Sequence, residues 1–194
     1  MPTTRSTHTF TLRIELEGIR PLVWRRLLVD GNVTLGKLHH YIQAAMGWTD
    51  AHLHEFEIAG EVFAIPHPDD DPERRINDER LTELSRLVRA GDHFYYRYDF
   101  GDSWTHRIVV EVVTDESHEP SGYAEVAAGE RACPPEDVGG AESYMEFVEA
   151  ITTRRNSEEA LDWLAWAGPD FDPECFDRIA ANAALLRMAW NRWV

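Results

Sequence analysis

HFYYRYDFGDSWTHRIVVEVV, residues 93–113, decides how the rest of the chain is read. Phe94, Tyr96 and Tyr98 share one parity, and so do Trp104, His106, Ile108 and Val110. Period two over two apolar runs, with Gly and Asp between them, is the pattern of a β-hairpin. A three-residue loop of Gly101, Asp102 and Ser103 sets Phe100 opposite Trp104. Tyr98 then faces His106, Tyr96 faces Ile108 and Phe94 faces Val110, all on one side of the sheet. A turn needs Gly and one Asp. It does not need a Trp and a His pointing inward just after it.

Working outward, HTFTLRIELE (8–17) alternates through Phe10, Leu12, Ile14 and Leu16. A turn at 18–21 leads to LVWRRLLV (22–29) as its antiparallel partner. Thr34 is placed to cap a helix carrying Leu35, Leu38, Ile42 and Ala45, and Gly47 to end it. LHEFEI (53–58) and EVFAI flank a turn at Gly60, HPDDDPER (67–74) is an acidic loop, and LTELSRLV is a short helical piece. Hairpin, helix, strand, short helix, strand predicts an α+β fold: a mixed sheet of β-grasp (ubiquitin-like) type with one packed helix. The sheet spans about 8–114, a long loop 115–140, and a helical region 141–194, in one domain over 1–194. Its first helix carries Tyr144, Phe147, Val148 and Ile151; its second opens at Ser157 with Leu161 and Leu164. The third is capped by Asp172, starts at Pro173 and buries Phe176, Ile179, Ala183, Leu186 and Trp190.

Nineteen Lys and Arg against 35 Asp and Glu give a formal charge of −16 over 194 residues. Such a surface repels phosphate backbones, so nucleic acid is disfavoured as a partner. Cys133 and Cys175 are too few for a disulfide framework or an all-cysteine zinc site. The N-terminus has no apolar leader core and no run approaches membrane-spanning length. A cytoplasmic protein without a membrane partner is expected.

Strand parity puts His52 and His54 on the face of Phe56 and Ile58, as it puts His106 on an apolar face. Buried imidazoles need partners for both ring nitrogens. Asp50, Asp99, Asp102, Glu136 and Asp137 are available. Three uses of these residues are open. The first is structural, with His52, His54, Asp99, Asp102, Trp104, His106, Glu136 and Asp137 locking the hairpin tip to neighbouring loops. The second is a divalent metal such as zinc, held by His52, His54, Asp102, His106 and Cys133. The third is a metal-free pocket with His106 as base and Trp104, Trp48 and Tyr98 as walls. CPPEDVGG (133–140) is a stiff turn into a helix, since Glu136 and Asp137 would repel an anion there.

GIRPLVWRRLLV, LGKLHHYIQAAMGWTDAHLHEFEI, YDFGDSWTHRIVVE, GERACPPEDVGG with YMEFVEA, and DFDPECFD together resemble the plasmid pRiA4b ORF-3-like family. The resemblance covers about Phe10 to Ala180 and implies a cytoplasmic bacterial or archaeal α+β protein, sometimes encoded on mobile elements, with no settled biochemistry. Some similar proteins are labelled transposon resolvases. A resolvase needs a nucleophilic Ser among arginines and a basic helix-turn-helix, and here Ser103 and Ser121 lie in acidic surroundings. The expectation is a non-enzymatic binding or interaction module with an unidentified protein or small-molecule partner. The alternative is a metal-binding protein or metal-dependent hydrolase at the five-residue set.

Overall fold

The computed structural model describes residues 8–69, 71, 73–114 and 124–191. Eight strands form one mixed sheet: β1 (Thr9–Leu16), β2 (Trp24–Asp30), β3 (His54–Ile58), β4 (Glu61–Ala64), β5 (Ile76–Asp78), β6 (His93–Tyr98), β7 (Trp104–Thr114) and β8 (Ala124–Glu130). Their order across the sheet is β5-β4-β3-β6-β7-β1-β2-β8. Among the described residues β4–β5 is the one parallel pair. Among the described residues four helices complete the fold: α1 (Leu35–Met46) between β2 and β3, and α2 (Gly140–Thr153), α3 (Glu158–Ala167) and α4 (Arg178–Asn191) after β8. The α+β class is as the sequence predicts.

The caps of α1 form as expected. Thr34 Oγ1 accepts from Lys37 N, and Gly47, at φ 94°, closes the helix onto the Gln43 carbonyl. Leu35, Leu38, Ile42 and Ala45 are buried with Leu12, Ile14, Leu27, Phe56, Phe94, Tyr96 and Ile108 in one core. Each Leu, Ile or Phe among them contributes about 1.5–3 kcal/mol on burial.

Three expectations are corrected. The hairpin loop is Asp99–Ser103, so Tyr98 pairs with Trp104, Tyr96 with His106 and Phe94 with Ile108. The register is two residues from the predicted one. A shift of two keeps parity, so the inward face was assigned correctly. Phe100 sits exposed in the loop. The long loop of 115–140 contains β8, which pairs with β2 over Trp24–Val29; its first part, 115–123, lies outside the described residues. AEVAAGE has little β-propensity, which hid the strand. Finally, α4 starts five residues late. Asp172 closes a turn by accepting from Glu174 N, whereas Asp177 Oδ1 accepts from Ala180 N at the true helix start. The buried residues of α4 are Ala181 and Leu185; Ile179 is 79% and Trp190 88% exposed.

Arg25 and Arg26 point to opposite faces of β2, and Arg25 is buried. Its Nε donates to the Ala45 carbonyl and its guanidinium lies 3.8 Å from the Phe176 ring centre. Arg26 forms a two-bonded pair with Glu111. No helix among the described residues is long and apolar enough to cross a membrane.

Candidate metal centre

Two segments meet α1 near its start. Leu35 N donates to the Thr82 carbonyl and Leu84 N to that of Val33, pinning the turns after β5 to the helix. Asp78 caps the first of these turns by accepting from Arg80 N. This pinning holds Glu79, only 1% exposed, beneath β3. Both Glu79 oxygens lie 3.0 Å from His54 Nε2. From α1, His39 is 2% exposed, and its ring stacks on that of His54 at 3.4 Å with 3° between planes. His39 Nε2 lies 2.7 Å from Asp50 Oδ1, and His40 Nδ1 3.1 Å from Asp50 Oδ2.

The network behind the rings is closed. His39 Nδ1 lies 2.8 Å from Tyr96 Oη, which accepts from Gln43 Nε2, while Gln43 Oε1 accepts from Asp50 N. Burial raises the Tyr96 hydroxyl well above its ordinary range, so it stays protonated. Burial lowers His39, outweighing the hydrogen bond to Asp50, which opposes it. Burial also pushes Asp50 upward, but the hydrogen bond and charge of His39 outweigh it and hold the carboxyl low. Neutral imidazoles beside ionised carboxylates are the forms in which these side chains bind metals. Donor atoms of His39, Asp50 and His54 all lie within 4.8 Å of one another. Ligands on a tetrahedral zinc sit about 3.4 Å apart, so side-chain shifts of about 1 Å, with one imidazole turned out of the stack, would close a centre. The group floors a cleft of 440 Å³ whose rim includes Thr34, Lys37, His52, Ile65 and Arg80.

A second group gathers beside it. His52 Nε2 lies 3.1 Å from Asp137 Oδ1, 3.5 Å from Glu136 Oε2 and 3.6 Å from Asp99 Oδ2. Four of the residues singled out in the sequence therefore do meet. Trp104 is buried with its ring 6.0 Å from Trp48, and Asp102 Oδ2 accepts from Gly139 N, tying the hairpin tip to the loop before α2.

The five-residue metal set does not assemble as one. His54 turns to Glu79 and His39, while His52 turns to Asp99, Glu136 and Asp137. Asp102 is used on Gly139. His106 is wholly buried, packs edge-on to Trp48, and donates from Nδ1 to the Tyr96 carbonyl at 3.3 Å. It joins neither donor group and is closed to solvent as a base. Cys133 lines a different recess, with Arg25, Cys175 and Phe176. Burial pushes its thiol up to about 12.

Sequence reasoning missed His39, His40 and Glu79 as site residues and held Asp50 only as a partner. A signal existed for His39. It sits one residue after Leu38 and three before Ile42, within the buried stripe of α1. Glu79 gave none, because its burial depends on two long-range hydrogen bonds.

Fold and cleft together define a class: an α+β protein carrying paired histidine–carboxylate groups at the mouth of a mixed sheet. Residues 8–180 match the plasmid pRiA4b ORF-3-like protein family, and the chain belongs to it. It is 36% identical over 181 residues to the uncharacterized protein y4hQ of Sinorhizobium fredii, covering 92% of this chain and 88% of that one. The crystal structure of MM3350 from Methanosarcina mazei Go1, titled a protein of unknown function, is similar with a TM-score of 0.80 and 35% identity. That likeness covers 90% of this chain and 98% of that one.

Proposed function

We propose that the chain is a metal-binding protein whose centre is His39, Asp50 and His54, with Glu79 as a fourth donor. One observation carries this reading: donor atoms of His39, Asp50 and His54 lie within 4.8 Å of one another, with Glu79 against His54 Nε2, on the floor of a cleft. Two neutral imidazoles and two carboxylates suit zinc or a similar first-row ion. The cleft leaves room for water or a small ligand at an open coordination position, as a centre that activates water requires.

A non-enzymatic binding module is the second reading. Its support is that the His39–Asp50 and His54–Glu79 pairs already satisfy one another. Zinc titration by calorimetry separates the two. The metal reading predicts about one equivalent bound by the parent and a loss of about 100-fold in affinity in His39→Ala, since even outer-shell changes cost 10–100-fold. A folded parent that takes up no zinc would leave the binding module standing alone.

A further inference from the structure

We infer that His52, Asp99, Glu136 and Asp137 form a second divalent-cation site, distinct from the His39 centre, for an ion of the manganese class. The first argument is an orphan. His52 Nε2 is closed to solvent and makes no hydrogen bond, although three carboxylate oxygens surround it at 3.1–3.6 Å. A single N–H could align with only one of them, and it aligns with none. A cation among the donor atoms of His52, Asp99 and Asp137 would use all three at once, and a side-chain shift would bring in Glu136.

The second argument is how the carboxylates are held. Asp99 spends Oδ1 on the amides of Gly101 and Asp102, which leaves Oδ2 aimed at His52. Glu136 spends Oε1 on Thr49 N, Thr49 Oγ1 and Tyr98 Oη, and Oε2 faces His52. Tyr98 Oη also reaches Oε2 at 3.3 Å, while receiving a bond from Ala51 N. Two of the three carboxylates are thus fixed by one oxygen and offer the other to a common point. Donor atoms of His52, Asp99 and Asp137 lie within 4.8 Å of one another.

The third argument is charge. Three carboxylates converge in a chain that already carries −16. A cation at their meeting point relieves the mutual repulsion of that convergence. One imidazole nitrogen with three carboxylate oxygens is a harder donor set than that of the His39 centre, so it suits a manganese-class ion better than that centre does. Asp137 is 72% exposed and also lines a cleft of 850 Å³ with Trp163 and Trp166, which provides an entry path.

The test uses manganese(II) alone, followed by the loss of the free-ion electron paramagnetic resonance signal. The variants are Asp137→Asn, His52→Gln and His39→Ala. Asp137 sits at φ 59°, a conformation Asn tolerates, and its side chain is exposed, so the first variant keeps the fold. Expected is one site in the parent, weakened about 10-fold or more in Asp137→Asn and His52→Gln and retained in His39→Ala. Absence of manganese binding, or affinity unchanged in Asp137→Asn, would overturn the second site and leave the His39 centre untouched. Manganese lost only in His39→Ala would also overturn it, placing the ion at the first centre.

Discussion

His106 has no exposed surface, and burial holds its pKa at about 3, against an ordinary value of 6.5. The folded state refuses a proton that the unfolded chain accepts. The stabilisation is therefore complete above about pH 6.5 and is lost as pH falls toward 3, by about 1.4 kcal/mol per unit. The expected total is on the order of 5 kcal/mol, read from urea midpoints across that window. His106→Leu should flatten this acid limb. At neutral pH it should cost about 0.5–1.5 kcal/mol, for the lost hydrogen bond to the Tyr96 carbonyl. An acid limb of equal slope in the variant would assign the lability elsewhere. The cysteines make a second prediction at this scale. With its thiol held up to about 12 by burial, Cys133 should resist alkylation in the native protein, while exposed Cys175 reacts. Mass mapping after brief iodoacetamide treatment checks it, and equal labelling would contradict it.

The turn between β6 and β7 answers why so much chemistry sits there. Asp99 builds the loop with one oxygen, Asp102 holds Gly139, and Trp104 packs toward Trp48. Gly140 completes the junction at φ 82°, where a Cβ would come within 2.9 Å of the Asp102 carbonyl. Gly140→Ala should therefore destabilise by more than about 1 kcal/mol. Asp102→Ala should cost about 1 kcal/mol and release the Gly139 amide in hydrogen exchange while leaving β1 protected. Parity made the inward face of this hairpin legible, because parity survives a register error of two. The phase of α4 was not legible. Asp172-Pro173 looks like a helix start, and only the turn through Cys175 shows that Asp177 caps instead. Likewise, β8 could not be seen in Ala and Gly; its partner β2 specifies it.

Across the whole molecule, the site residues come from α1, the loop after it, β3, the turns after β5, the β6–β7 loop and the loop before α2. Strings such as YDFGDSWTH and CPPEDVGG marked the His52 group in advance, since each places several polar residues where a turn needs fewer. Joining His39 to Glu79 needed the tertiary structure, because nothing local joins residues 40 apart in sequence. A bound metal stabilises the fold by mass action, about 2.7 kcal/mol at 100 times Kd. For a chain of this size that should raise Tm by about 5–10 °C, and a chelator should reverse it. The most direct test of the central claim is anomalous diffraction at the zinc edge from crystals grown with zinc. The account predicts a peak about 2.0–2.2 Å from His39 Nε2, His54 Nε2 and an Asp50 oxygen. A featureless map there, with the His39–Asp50 hydrogen bond still at 2.7 Å, would contradict it.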